Sequence, residues 1–375
     1  MLRLIITLSI VVSATNIKSS EIDLSGFVTF AAGFTDNERL LYQNYDDSLD
    51  FSENSLAAIQ AYTDLGNGWG VTMQLMARGE NDWNLESEWA FISYDSESDW
   101  RFLIGRQRVP FYLYSDYLDA SIAYHWIRPP EGVYSLAFDQ VDGFGASKIF
   151  DVSGYDIALQ FTAGRNKDSI DELTPDYKDL AAISWSIGNE LFTARLIYAV
   201  ADITIPFEPI QPIVDAWEGY GFEKLSESIE IDGEHGVFKG VGGTVNFMSS
   251  NLVFEYTRLD SGDSFLPISD SYYVSWVSNL ENGMVHLTVG GDTSAPRLSI
   301  LDEVPLGQDP NIDNLYSSTY GFLDSFDEDS RFLTIGYKQV YTSNINFKYE
   351  ITWFEDNLNP SADSTLLEFA LVSVF

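Results

Sequence analysis

Along most of the chain apolar and polar residues alternate one by one, in runs of about ten residues that end in a turn or a loop. Successive side chains of a strand point to opposite faces, so each run predicts a strand with one apolar and one polar face. The clearest run is Asn344 to Trp353. Ile345, Phe347, Tyr349, Ile351 and Trp353 share one face there, and Asn346, Lys348, Glu350 and Thr352 share the other. In the same way Val71, Met73 and Leu75 oppose Thr72 and Gln74. Ile157, Leu159 and Phe161 oppose Ala158, Gln160 and Thr162, and Ala181, Ile183, Trp185 and Ile187 oppose Ala182, Ser184 and Ser186.

The pattern predicts sixteen strands: 22–34, 55–65, 69–79, 86–95, 100–109, 139–150, 155–164, 179–188, 190–201, 237–248, 251–259, 270–279, 284–292, 331–342, 344–355 and 364–375. Short turns such as Gly66-Asn67-Gly68 and Glu281-Asn282-Gly283 alternate with longer connections. Glycine and asparagine tolerate the positive φ that tight hairpins require. The long connections are 35–54, 110–138, 202–236 and 293–330, read as loops, with the Pro-rich stretch Ile205 to Pro212 inside one of them. A soluble sandwich also alternates. Two features separate the cases: the connections alternate between short and long, and aromatics such as Trp185, Tyr198, Phe247 and Trp353 sit near the ends of apolar faces. Both belong to an all-β transmembrane antiparallel barrel with short turns at one end and long loops at the other.

Composition narrows the class further. Residues 1–20 read as a signal peptide, with Arg3, an apolar run from Leu4 to Val12, and cleavage between Ala14 and Ser20. Residues 21–375 then form a single barrel domain. No later apolar run reaches the ~20 residues of a membrane helix. There is no cysteine, and His125, His235 and His286 lie far apart, without a metal-site spacing or a serine-centred motif beside them. The net charge of −37 excludes a nucleic-acid partner. No cofactor is implied.

Several motifs carry a family resemblance: LSGFVTFAAGF (Leu24–Phe34), GRQRVP (Gly105–Pro110), QVDGFGASKIF (Gln140–Phe150) and the closing strand LLEFALVSVF with Phe375 last. With the whole alternation pattern, they resemble the sixteen-stranded porins of the Gram-negative outer membrane. The resemblance implies a homotrimeric channel in contact with outer-membrane lipid and lipopolysaccharide, and recognition of the C-terminal Phe375 by the outer-membrane assembly machinery. It also implies that the third loop-side connection, 110–138, folds into the lumen as a constriction, with Gly105 to Pro110 as its hinge and its acids facing a basic cluster on the wall. Two departures stand out. RPPEGVY (Arg128–Tyr134) replaces the usual PEFGG-like sequence, and the second loop is short, which weakens the implied trimer latch.

By parity the lumen should be lined by Gln74, Arg78, Gln160, Arg195, Asn246, Glu255, His286, Lys338, Lys348 and Glu350. Here Arg78, Arg195, Lys338 and Lys348 outnumber the acids. The carboxylates gather instead in loops, at Asp46, Asp47, Asp50 and Glu53 and at Asp324, Asp327, Glu328 and Asp329. The lumen is therefore expected to be near neutral or slightly basic, without strong cation selectivity. The loop acids read as a solvated surface, or as oxygen ligands for divalent cations bridging to lipopolysaccharide.

Arg106 and Arg108 share parity with the apolar Phe102 and Ile104, so a bulge at Gly105 is expected to turn at least one of them inward. Asp116, Asp119, Arg128 and Glu131 are the candidate gate charges of the constriction. Tyr112, Tyr114, Tyr117, Tyr124 and Trp126 either wedge that segment against the wall or offer a stacking surface for sugars. The functional reading is a passive diffusion channel for small hydrophilic solutes and ions. A substrate-selective channel for sugars, peptides or anions is the alternative, with an adhesin, receptor or enzyme behind it.

Overall fold

The computed structural model describes residues 21–136, 138–167, 173–262 and 264–375; the signal-peptide assignment lies outside the described residues. Sixteen strands close into one antiparallel barrel in which each pairs with its neighbours in sequence and the first pairs with the last. They are β1 (Ile22–Thr35), β2 (Leu56–Gly66), β3 (Trp69–Arg78), β4 (Leu85–Asp95), β5 (Trp100–Arg108), β6 (Gln140–Val152), β7 (Tyr155–Asn166) and β8 (Asp176–Gly188). Then come β9 (Phe192–Ile205), β10 (Ile231–Asn246), β11 (Ser250–Asp260), β12 (Ile268–Leu280), β13 (Gly283–Ala295), β14 (Glu328–Thr342), β15 (Ile345–Asp356) and β16 (Ser364–Val374). At the seam, Gly26 and Phe375 exchange backbone hydrogen bonds of 2.9 and 3.0 Å. Closure leaves no unpaired sheet edge, which is what a hydrocarbon surrounding demands. Among the described residues no helix is long and apolar enough to cross a membrane.

The expected alternation is present. On β15, Tyr349 is 44% exposed and Trp353 37%, while the alternate Lys348, Glu350 and Thr352 are buried. Apolar side chains thus face outward and polar ones inward, the reverse of a water-soluble sandwich. The tight end behaves as the sequence predicts: Gly66, Asn67 and Gly68 all take positive φ in the β2–β3 turn.

The other end departs from expectation. β10 begins at Ile231, six residues before the predicted 237, and β9 runs on to Ile205. These extensions carry a cap, because the connections read as plain loops contain α1 (Gln211–Gly219), α2 (Glu223–Ile229) and α3 (Pro310–Asp324). Helix α3 starts where Asp309 caps it: its carboxylate accepts from the Asn311 N–H at 2.8 Å, with Pro310 in the first turn. The helices bury Trp217, Ile229 and Leu323 completely, packed with Ile210, Phe265 and Leu301 and with Tyr177 and Ile203 from the extended strands. Trp217 donates its indole N–H to Thr319 at 2.9 Å, tying the two long connections together. A second apolar cluster lies inside the barrel and positions the site described next.

Candidate functional site: a segment held across the lumen

Residues 109–139 leave β5 and do not turn back along it. Strand β5 stays paired with β6 as far as Arg108; within it Gly105 has a φ of +130°, open to glycine, and a Cβ there would collide with the Ala90 carbonyl. No register shift accompanies it and Ile104 and Arg106 keep to one face, so the bulge expected at Gly105 is not formed. The two arginines then part. Arg106 pairs with Asp142 across β5–β6 at 3.0 Å, on the face that also carries the exposed Ile104 and Phe144. It does not join the inner charge cluster. Arg108 turns inward and is nearly buried, 3.2 Å from Glu88 and 3.0 Å from Asp139, and paired with Asp119.

Arg78 completes this cluster from β3, 2.5 Å from Glu88 and 3.2 Å from both Glu86 and Asp119. Asp119 is therefore clamped between two wall arginines. Burial alone would raise its pKa, but the Arg108 and Arg78 charges outweigh that and hold the carboxyl well below the usual range. The cluster fastens the first half of the inner segment to the β3–β5 wall.

The far wall holds the rest. Glu255 on β11 accepts from the Leu113 N–H and the Tyr134 O–H, both at 2.7 Å, and from Tyr273 at 3.1 Å. Arg195 on β9 donates to the Pro110 carbonyl at 3.2 Å and to Gln160 and Ser184. Lys338 on β14 donates to the carbonyls of Ile122 (2.5 Å) and Tyr124 (3.0 Å). Lys348 on β15 donates to Ser121 O at 2.5 Å, to Ser121 Oγ at 2.8 Å and to the Trp126 carbonyl. Glu350, two residues on, takes the Ile127 N–H at 2.7 Å and lies 3.3 Å from His286. The segment makes two short 3-10 turns, Ser115–Tyr117 and Ser121–Ala123, and wall side chains satisfy several of its remaining buried backbone groups, as burial requires.

The aromatics follow the same logic. Tyr112, Tyr124 and Trp126 are buried, and Tyr112 lies against Tyr134 with ring centroids 4.4 Å apart. Trp126 meets Tyr273 edge-on at 5.3 Å and donates its N–H to Thr288 at 2.9 Å. Phe111 and Phe238 meet edge-on at 5.3 Å. Of the five aromatics singled out in the sequence, Tyr117 is exposed and Tyr114 partly buried between its neighbours Tyr117, Tyr124 and Trp126. His125 bonds Ser275 at 3.0 Å and sits 4.8 Å from the His286 ring. Burial holds its imidazole well below the ordinary value, and His286, Lys348 and Lys338 push the same way.

The segment packs against β6 and β8 to β12, and its Ile122 and Ile127 pack against Ala31 on β1 and Ala370 and Val372 on β16. An apolar cavity of about 190 Å³ lies among Phe111, Leu180, Ala199 and Phe238, and polar space lies elsewhere beside the segment. One cavity of about 250 Å³ is bounded by Arg78, Glu80, Glu86, Asp119, Tyr124 and Asp139. A second, of about 470 Å³, is bounded by loop residues Tyr42 to Asn44, by Pro129 to Gly132, and by inward side chains of β12 to β16. Asn54 and Arg128 border both. Glu131 is exposed on the second cavity, whereas Asp116 is exposed and borders neither.

The charge of this open space differs from the sequence expectation. Glu53, Glu131, Asp292, Glu328, Glu350, Asp356 and Glu368 border the larger cavity, against Arg128 as its one cation among the described residues. Parity placed the basic residues inside correctly, but Lys338, Lys348 and Arg195 are consumed by carbonyls of the inner segment, and Arg78 and Arg108 by carboxylates. The accessible lining is acidic, not neutral or basic. Glu88, Asp139 and Glu368 are structural or lining residues that the sequence reading lacked; Glu255, placed in the lumen by parity, proves to hold the segment. Among the described residues no group of three or more His, Cys, Asp or Glu side chains is disposed to hold a metal ion.

No protein-family model and no curated protein sequence matches this chain. Solved structures do match in fold. A loop-deletion mutant of OmpT, an outer membrane protein of Vibrio cholerae, superposes with a TM-score of 0.59 at 9% identity over 95% of this chain and 99% of that one. The anion-selective porin of Comamonas acidovorans gives 0.59 at 12% identity over 95% and 100%. The outer membrane channel DcaP of Acinetobacter baumannii gives 0.56 at 11% identity over 95% and 97%. The chain shares the closed antiparallel barrel of outer-membrane porins over nearly its whole length.

Proposed function

We propose that this chain is a porin of the Gram-negative outer membrane: a water-filled channel through which small hydrophilic solutes and ions diffuse passively, cations in preference to anions. The observation that carries the reading is the pair of polar cavities left beside an inner segment that wall side chains hold in place. A soluble sandwich would fill that space with apolar side chains; here it is bordered by carboxylates. Rings of charge act on ions where they lie along the path, and seven carboxylates facing one arginine favour cations. The outward aromatic and aliphatic face supports contact with lipid and lipopolysaccharide, with the acidic loops available to divalent ions. A homotrimer fits the same reading, since one structure of similar fold is described as a trimer form.

A selective channel is favoured by one feature. Tyr42 and Phe354 stack at 4.4 Å and both border the acidic cavity, a surface suited to a flat cationic solute. Planar-bilayer recording of the purified protein distinguishes these readings. Stepwise conductance with a cation-signed reversal potential in a salt gradient is expected. An absence of steps rejects the channel, an anion-signed potential rejects the preference, and saturable block by one solute class selects the second reading.

A further inference from the structure

The two cavities meet at Arg128 and Asn54, which border both. Arg128 belongs to the inner segment, and its side chain is about half exposed, at 48%. Its guanidinium lies 3.6 Å from Glu80 and 3.5 Å from the side-chain oxygen of Asn54, both on the β1–β4 side of the lumen. This reverses the polarity of the Asp119 cluster. There the acid is on the segment and the arginines are on the wall; here the cation is on the segment and the acid is on the short β3–β4 connection.

The Asp119 cluster is nearly buried and saturated, with each arginine meeting two or more carboxylates. The Arg128 contact is a single, loose, half-solvated pair, of the sort that contributes little and exchanges readily. Among the described residues it is also the one cation on a cavity of seven carboxylates, where a mobile cation would otherwise concentrate.

We propose that Arg128 is the specificity-determining residue of this channel: a tethered guanidinium that occupies the junction of the two cavities and must be displaced by each passing cation. The proposal rests on the channel reading above. Solutes bearing an ammonium or guanidinium group compete with Arg128 for Glu80 and the neighbouring carboxylates, because they present the same charge to the same acceptors. Diamines compete better than single cations of equal size, since two charges engage the acidic lining at once. Anions meet carboxylates on both sides of the junction.

The test uses the full-length protein in planar bilayers, with 1,4-diaminobutane added on the loop side as the probe. In wild type it should reduce potassium current with a measurable half-blocking concentration. In Arg128→Ala the tethered competitor is gone. Half-block should then occur at a concentration roughly two- to fivefold lower, the worth of an exposed ion pair, and the reversal potential should move further toward cations. Arg128→Lys keeps the charge without the planar fork and should fall between the two. Arg128→Gln serves if the alanine variant fails to assemble. Wild-type protein that forms no channel rejects the functional reading and this proposal with it. Wild-type protein that conducts, with variants whose block and reversal potential match it, rejects the role of Arg128 alone.

Discussion

Glu255 is the point at which the inner segment is most exposed to a single change. One buried carboxylate accepts hydrogen bonds from Leu113 near the start of the segment and from Tyr134 near its end, with Tyr273 as a third donor. Replacing it by leucine conserves bulk and leaves three buried donors without an acceptor. Each such donor costs about 1–3 kcal/mol. Taking the low end, because Tyr134 and Tyr273 can partly re-aim, the segment loses ~3 kcal/mol of attachment. That raises its detached population roughly 100-fold. Glutamine retains one acceptor oxygen and should cost about 1 kcal/mol. Hydrogen exchange at the Leu113 amide, followed by mass spectrometry in detergent, reads this directly, and current noise in single-channel records reads it functionally. The expected order of exchange is leucine fastest, glutamine intermediate and wild type slowest. Equal exchange in all three would refute the claim that Glu255 holds the segment.

Asp119→Asn leaves Arg78 and Arg108 nearly buried with less counter-charge; it should destabilise the segment by ~2–4 kcal/mol, seen as faster exchange around Ala120 and a lower thermal midpoint. Acidification should loosen the segment through His125. Its folded-state pKa is depressed, so the stabilising term is complete above the unfolded value near 6.5 and is lost as pH falls below it; exchange at Ile127 should rise between about pH 7 and pH 5, and His125→Gln should flatten that profile. Trp217→Ala removes a fully buried indole from the cap and should cost about 3–5 kcal/mol there. Limited proteolysis should then cut within 206–230 while the heat-resistant migration of the barrel is unchanged; cleavage identical to wild type would show that the cap does not depend on that indole.

All sixteen strands were legible because lipid outside and polar groups inside impose a period of two that few other structures sustain for so long. The helices of the cap were not, because α1 and α2 are short and share a long connection whose composition reads as loop. A signal for α3 was nevertheless present: Asp309-Pro310 followed by Ile312, Leu315, Tyr316, Thr319 and Leu323 is an N-cap, a first-turn proline and one apolar helical face. The charge of the lumen was misread for a different reason. Parity tells which side of the wall a residue occupies and nothing about its partner, so Lys338 and Lys348 counted as free cations although Ile122, Tyr124, Ser121 and Trp126 consume them. The bulge expected at Gly105 is absent: Ile104 and Arg106 keep one face, and Arg108 turns inward at the end of β5 where the strand gives way to the inner segment.

The cap over β8 to β10 and the inner apolar cluster against β6 and β8 to β12 occupy the same sector of the barrel. A ring of similar hairpins has no inherent front or back, yet this pair of clusters gives it one. The polar free space is divided unevenly: the larger cavity runs along β12 to β16 and the smaller lies beside Arg78 and Asp139. Height above the midplane is then a poor guide to a wall residue's influence on a passing solute, and compass bearing is a good one. Two inward side chains, Ser275 on β12 and Glu368 on β16, differ in kind: one is mortar behind the segment, the other shoreline.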